Sequence, residues 1–298
     1  MLPHPGIPSF DYIRASVRDE VPRLLLAHGQ EARLLMGGTD LLVRMRDGKV
    51  HPKVVVDVKH LPGMREIRCD EGSGLVVGAA VTMNEVARHP GVRAHYPLLA
   101  QAAESVASYQ LRNRATLGGN LANASPAADT APAVLVLEGQ LVLYGPHGER
   151  EVPAGTFFLG PGRSCLQAGE FLTAVRFPVL AAKAAGVYVK LGRNRAGDLA
   201  IAGVAVLGFP DPTAPSGFRF RVALASVAPV PLRVETAEQL LAAAPPEEDT
   251  FAQAAEEALR ASRPIDDVRA SAAYRRAMVR NLTYRALREV WGKMGAGG

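Results

Sequence analysis

Two glycine-rich stretches about eighty residues apart constrain this chain more than any other feature. They read Met36-Gly37-Gly38-Thr39-Asp40-Leu41-Leu42 and Thr116-Leu117-Gly118-Gly119-Asn120-Leu121-Ala122-Asn123-Ala124-Ser125-Pro126. Each follows an apolar run and leads into polar, turn-forming residues. Paired glycines let a backbone approach a ligand closely and aim N–H groups at an anion. Two such loops in one domain suit a large phosphate-bearing ligand gripped from two sides.

The sequence around them alternates strand and helix signals. Ala32–Met36 predicts a short strand, Thr39 or Asp40 a cap for a helix through Leu41–Met45, and Lys53–Val58 a β-branched strand. Leu75–Val77 is another strand candidate. Thr82-Met83-Asn84-Glu85 matches a capping box, in which hydroxyl and carboxylate each satisfy an orphan amide. Helices are expected over 96–108 and 129–137, and strands at Leu141–Tyr144 and Phe171–Phe177.

Ala181-Ala182-Lys183-Ala184-Ala185-Gly186 reads as a linker, and beyond it the rhythm changes. Val187–Leu191, Ala200–Leu207 and Phe218–Ala228 predict an antiparallel sheet with Pro/Gly-rich turns. Helical patterns follow at Glu235–Ala243, Phe251–Ser262 and Ser271–Trp291. In the last, Met278, Leu282, Ala286 and Val290 recur every four residues, leaving an arginine-rich opposite face. Strands followed by helices indicate an α+β class, divided into residues 1–180 (lobes about 1–58 and 59–180) and 181–298.

Composition removes several function classes. A 48% hydrophobic, 21% charged chain with no apolar run of about 18 residues is globular and lacks a membrane-spanning signal. Met1-Leu2-Pro3-His4-Pro5-Gly6 has no leader-like pattern, and Cys69 and Cys165 alone make no disulfide framework. The expectation is a cytoplasmic location. The net charge of +5 comes from scattered basic residues, so nucleic acid is not implied. The densest basic cluster, Arg269, Arg275, Arg276, Arg280, Arg285 and Arg288, suits a solvated or partner-facing helix surface.

The missing chemistry narrows matters further. No G-x-G-x-x-G, P-loop or G-x-S-x-G string occurs, the histidines have no H-x-x-x-H spacing, and two cysteines cannot hold an iron–sulfur cluster. Such an enzyme draws its chemistry from an organic cofactor. Gly37-Gly38-Thr39-Asp40 then reads either as a capped turn or as a phosphate cradle ahead of a helix start. In the second stretch Thr116, Asn120, Asn123, Ser125 and Asp129 supply polar groups. Asp129, the only carboxylate between Glu104 and Glu138, is either a helix N-cap or an acceptor for ribose hydroxyls.

The two stretches, extended through Ala127-Ala128-Asp129-Thr130, resemble the FAD-binding (medium) subunit of the molybdenum hydroxylases, the xanthine dehydrogenase and aerobic carbon monoxide dehydrogenase family. The similarity continues through Phe158-Leu159-Gly160-Pro161-Gly162, Tyr188-Val189-Lys190-Leu191-Gly192-Arg193 and Val268-Arg269-Ala270-Ser271-Ala272-Ala273-Tyr274-Arg275-Arg276. The resemblance implies a two-lobed FAD domain of the vanillyl-alcohol-oxidase (PCMH) type, followed by a C-terminal domain of antiparallel sheet plus helices. By motif position it implies that Leu35, Met36, Gly37, Gly38, Thr39, Asp40 and Leu41 wrap the pyrophosphate, with Gly118, Gly119 and Asn120 opposite. Thr116 and Ser125 would bond phosphate or ribityl oxygens, and Asp129 the adenosine ribose. Leu166 would line the adenine or ring pocket, Lys190 would lie near the flavin, and Tyr188 would guard one ring face.

The same resemblance implies a large molybdenum-cofactor subunit and a small [2Fe–2S] subunit as partners. Electrons would pass from the clusters through FAD to NAD, oxygen or another acceptor. A cysteine-bearing [4Fe–4S] insertion found in one relative is missing, and Thr39-Asp40 replaces the usual His-Ser of the carbon monoxide enzyme, which disfavours both subtypes. The alternatives are a self-contained FAD oxidase or dehydrogenase, and a non-catalytic assembly subunit that has lost flavin.

Overall fold

The computed structural model describes residues 6–194 and 197–295, so all of the Met1–Gly6 stretch except Gly6 lies outside the described residues. The chain opens with β1 (Asp11–Arg14), α1 (Glu20–His28), β2 (Ala32–Leu35), α2 (Leu41–Arg46) and β3 (Val54–Asp57). Val54, Val55 and Val56 are buried on both faces, so β3 takes the centre of a parallel sheet ordered β1-β3-β2. β1 and α1 carry no strong sequence signal and were not expected.

The second lobe runs β4 (Ile67–Asp70), β5 (Gly74–Gly78), α3 (Met83–Arg88), α4 (Pro90–His95), α5 (Pro97–Glu104), α6 (Tyr109–Arg112), α7 (Leu117–Ala122) and α8 (Thr130–Val136). It continues through β6 (Gln140–Gly145), β7 (Gly148–Pro153), α9 (Ala154–Phe157), β8 (Phe158–Gly160), β9 (Arg163–Ser164) and β10 (Phe171–Phe177). β4-β5-β10-β6-β7 form one sheet. The Thr82–Glu85 capping box starts α3 as expected, with both reciprocal bonds present. The long helix expected over 96–108 is broken. Ala107 adopts a left-handed φ of 43°, and Ser108 caps a separate α6 through the Leu111 amide.

The third part holds β11 (Ala185–Leu191), β12 (Ala202–Pro210), β13 (Phe218–Ala225), β14 (Leu232–Arg233), α10 (Glu235–Ala243), α11 (Glu248–Ala261) and α12 (Ala272–Gly295). Its strands pair antiparallel in chain order. The expected linker is shorter than read, because Ala185 and Gly186 already pair with Gly208 and Leu207. Period-two alternation explains how this sheet sits. Val204, Val206, Val222 and Leu224 pack under α10–α12, whereas Ala205, Leu207 and Ala223 join the core of the preceding lobe. Both faces of the sheet are thus covered, and small residues on the second face let it lie close to α8.

α8 is the seam, with every residue from Thr130 to Val136 buried. At its C-terminal end Arg221 donates to the Val136 carbonyl (3.2 Å) and pairs with Glu138 (2.8 Å). Cations at that end also match the helix dipole. Among the described residues no helix is long and apolar enough to cross a membrane.

One residue of the C-terminal arginine cluster departs from expectation. Arg275 is buried at 3% exposure instead of facing solvent. Its Nη1 donates to the carbonyls of Ile201 (2.7 Å) and Ser226 (3.1 Å), and Nη2 to Asp267 (2.7 Å). Arg280 and Arg288 pair instead with Glu256 and Glu248 of α11. A helix pattern cannot distinguish a buried guanidinium with fixed carbonyl partners from a solvated one.

Burial pushes the Asp267 carboxyl up, but the Arg269 and Ala270 amides and Arg275 more than offset it and hold it at about 2. Its folded value lies below the unfolded one, so this contribution is present above about pH 4 and lost as pH falls towards 2. Replacing Arg275 by Met is expected to destabilise the protein by about 3 kcal/mol, because it strands two carbonyls and removes one of the two guanidinium partners of Asp267. Denaturant unfolding at pH 7 measures that loss. In Asp267→Asn the acid-side fall in Tm should flatten.

Candidate functional site

The glycines first of all bring the two stretches together. A Cβ on Gly37 would lie 2.2 Å from the Arg114 carbonyl oxygen and 3.0 Å from Ala115 Cα. A Cβ on Gly118 would lie 2.4 Å from Ala79 Cβ. Those contacts leave no room for any side chain. The second stretch is also not a loop. Thr116 caps α7, its Oγ1 accepting from the Gly119 amide (3.1 Å), while its hydroxyl faces Met36 Sδ at 3.8 Å.

The first stretch stays open. Gly38 takes the left-handed region at φ 75°, and α2 begins after Asp40, whose side chain makes no capping bond. Among the described residues the amides of Gly37, Gly38, Thr39 and Asp40 donate to no protein acceptor. A run of unsatisfied amides around a left-handed glycine is an anion-binding concavity. The capped-turn alternative predicts a side-chain cap that the structure does not have.

These amides face a cleft of about 540 Å³, within the size range of ligand sites. Met36–Leu41 and Arg44 form one wall; Thr116, Gly119, Asn120, Asn123, Ser125 and Asp129 form the other. Arg44 crosses between them to Asn123 Oδ1 (2.9 Å), and Asn120 Oδ1 accepts from Thr130 Oγ1 (2.6 Å). Val106, Ala107, Leu111 and Leu199 add an apolar side, and Leu166 and Phe171 another. Arg33 and Arg44 reinforce the preference for an anion.

Asp129 sits at the head of α8 without capping it. Its Oδ1 accepts from Tyr188 Oη and its Oδ2 from Lys190 Nζ, both at 2.8 Å. Alternation along β11 places these two donors on one face, and Lys190 also reaches the Ser105 carbonyl (2.9 Å). Burial raises the Asp129 carboxyl from its ordinary value, with Lys190 and Tyr188 pulling against it. Burial and the neighbouring carboxylate push the Tyr188 phenol well above its usual value.

Of the residues expected at the site, Met36, Gly37, Gly38, Thr39, Asp40, Leu41, Thr116, Gly119, Asn120, Ser125, Asp129 and Leu166 line the cleft. Leu35, Gly118, Tyr188 and Lys190 do not. Gly118 is spent on Ala79, and Tyr188 lies behind the wall, committed to Asp129 instead of presenting a ring to the cavity. The sequence reading missed Arg33, Arg44, Val106, Ala107, Leu111 and the Gly197–Leu199 rim. Only Arg44, one turn beyond the first glycines, had a local signal. Among the described residues no group of His, Cys, Asp or Glu is arranged to hold a metal.

A family model described as the FAD binding domain in molybdopterin dehydrogenase matches residues 8–180, more than half of the chain. The chain belongs to this family. A second model, the CO dehydrogenase flavoprotein C-terminal domain, matches residues 187–290. The chain is 36% identical to the carbon monoxide dehydrogenase medium chain of Hydrogenophaga pseudoflava, over 96% of this chain and 98% of that one. It is 33% identical to a putative xanthine dehydrogenase FAD-binding subunit of Escherichia coli K12, covering 89% and 90%. A solved carbon monoxide dehydrogenase from H. pseudoflava, lacking the Mo-pyranopterin moiety of its cofactor, superposes with a TM-score of 0.91 at 35% identity, covering 98% and 99%.

The protein is accordingly an FAD-binding subunit of the molybdenum hydroxylase family, with FAD as its cofactor. The cleft fits that group on its own evidence: unpartnered amides and arginines for phosphates, and apolar walls for rings. The relatives' names include both carbon monoxide and xanthine enzymes, so similarity selects no substrate.

Packing and binding roles of the glycines separate experimentally. Gly118→Ala should lower the Tm of the flavin-free protein, with a cost of roughly 2 kcal/mol or more, because its Cβ meets Ala79. Thermal unfolding of apo and FAD-loaded protein checks this, since a ligand-only role would leave the apo Tm unchanged.

Proposed function

We propose that this chain is the electron-transfer subunit of a divided molybdenum hydroxylase or dehydrogenase. In this reading the domain spanning residues 1–180 grips FAD between its lobes, at about 1–58 and 59–180, and the domain spanning 181–298 closes the site. Gly37–Asp40 amides and Arg44 take the pyrophosphate; Asn120, Ser125 and Asp129 take hydroxyl-bearing parts; the apolar walls take the rings. FAD suits a relay because it accepts electrons singly and releases them as a pair. Those electrons would come from [2Fe–2S] clusters of a small subunit, fed by a large molybdenum-bearing subunit, and would leave to NAD, oxygen or another acceptor.

The observation that carries this reading is an anion-accepting cleft whose Asp129 and Asp198 carboxylates are already engaged. Asp129 is neutralised by Lys190, and Asp198 is paired with Arg193. No histidine lines the cleft among the described residues. In this reading the chain's residues bind, orient and exclude water, and Asp40, the remaining cleft carboxylate among the described residues, stands exposed at the start of α2 beside the anion-accepting amides. A self-contained oxidase would need a base placed to take a substrate proton.

The decisive experiment mixes the purified chain with FAD and records its absorbance spectrum. Absence of bound flavin, both as purified and after FAD addition, would sink the proposal, and turnover of an organic substrate by the chain alone would favour the self-contained oxidase. Backbone recognition adds a sharper expectation. Thr39→Pro deletes one amide and should weaken FAD about 10- to 100-fold, the worth of a hydrogen bond to a charged group. Thr39→Ala keeps the amide and should bind FAD nearly as the parent does. Fluorescence titration distinguishes the two.

A further inference from the structure

The connection between α11 and α12, residues 262–271, carries apolar side chains that nothing in the chain covers. Val268 is 93% exposed and Ile265 72%, with Tyr274 at 45% on the first turn of α12. Apolar side chains this exposed belong ordinarily to floppy loops or to contact surfaces. This connection is fixed in place. Asp267 accepts from the amides of Arg269 (2.8 Å) and Ala270 (3.2 Å) and from Arg275. Asp266 accepts from the Ala272 amide (2.6 Å), and the Arg263 amide donates to the Val227 carbonyl (2.7 Å).

The same bonds attach it to the mouth of the cofactor cleft. Arg275 holds the carbonyl of Ile201, two residues beyond Leu199, which lines the cleft and is 47% exposed. Arg275 also holds the Ser226 carbonyl, and the Ser226 amide donates to Pro126 (2.7 Å), between the cleft-lining Ser125 and Ala127. The charge around it is one-sided. Among the described residues exposed Arg276 has no carboxylate partner, and Arg263 donates only to backbone carbonyls. Asp266 and Asp267 are both turned to internal bonds.

We propose that Ile265, Val268, Tyr274 and Arg276 form the docking surface for the [2Fe–2S]-bearing partner, which presents an apolar patch with an acidic rim. This rests on the electron-relay reading above. Electron tunnelling falls steeply with distance, so the donor of electrons must sit at the cleft mouth, whereas the subunit that oxidises the substrate need not. The rigid loop supplies pre-ordered apolar anchors at little entropic cost, and the free guanidinium supplies steering.

The test uses full-length chain carrying Ile265→Asp together with Val268→Asp, co-expressed with its partner subunits. Flavin absorbance and Tm should equal those of the parent, since neither side chain is buried. The affinity for the isolated iron–sulfur subunit, by calorimetry, should fall about 30-fold or more, as expected for loss of a central anchor. Arg276→Glu should weaken binding most at low salt. Unchanged affinity for the iron–sulfur subunit overturns the proposal. So does loss of the molybdenum subunit, or of self-association, with the iron–sulfur subunit retained. If the double variant melts early, Ile265→Ala and Val268→Ala carry the same comparison. A parent chain that binds its partner but no FAD would instead overturn the relay reading, leaving the docking measurement intact.

Discussion

The structure depends on backbone meeting backbone where glycine permits it. Gly37 lies against the Arg114 carbonyl and Ala115, and Gly118 against Ala79. The first contact joins the parallel-sheet lobe to the segment leading into α7, and the second seats α7 on the turn after β5. A Cβ at Gly37 would push the lobes apart, and one at Gly118 would lift α7 off the turn after β5, each by more than a hydrogen bond tolerates. The cleft is the space left beside these contacts, so its width is set by packing and not by the ligand. Gly38 has the complementary task, turning the chain so that consecutive amides remain unpaired.

The second constraint is α8, which packs the core of the preceding lobe against the C-terminal sheet. Its C-terminal end is held by Arg221, and its N-terminal neighbour Asp129 by Tyr188 and Lys190. These partners all come from the C-terminal sheet, although Asp129 itself lines the cleft. A buried carboxylate without them would be costly, since burying an unpaired charge costs several kcal/mol. The C-terminal sheet therefore keeps one wall of the cofactor site charged and in register. The apolar alternation of β12 makes this possible by presenting Ala205 and Leu207 to the α8 side.

Much of this was legible in the sequence, for reasons that can be named. The capping box at Thr82, the strands at 171–177 and 218–225 and the face of α12 rest on local bonds or short periods, which sequence displays directly. Both glycine stretches line the cleft, but their division of labour was not readable. Whether a glycine admits a ligand or a neighbouring backbone depends on what lies opposite, and Ala79 and Arg114 are distant in sequence from Gly118 or Gly37. Arg275 failed for the same reason. It is a polar side chain whose partners come from other elements, so burial reversed the exposed role that its local pattern suggested. The break at Ala107 depends on a left-handed non-glycine residue, a conformation held by tertiary contacts.

The buried polar groups of the cleft are committed to the bonds that hold it together. Asp129 is fixed by Lys190 and Tyr188, Asp198 by Arg193 and the Leu199 amide, and Thr116 by the cap of α7. Each of these groups is already bonded within the protein, and freeing it would leave a partner unsatisfied. The amides of Gly37–Asp40 and the exposed Asp40 carboxylate are the exceptions, and the amides are hydrogen-bond donors too weakly acidic to serve as general acids at neutral pH. A site built this way fixes an anionic cofactor rigidly and adds nothing to its reactivity beyond position and field.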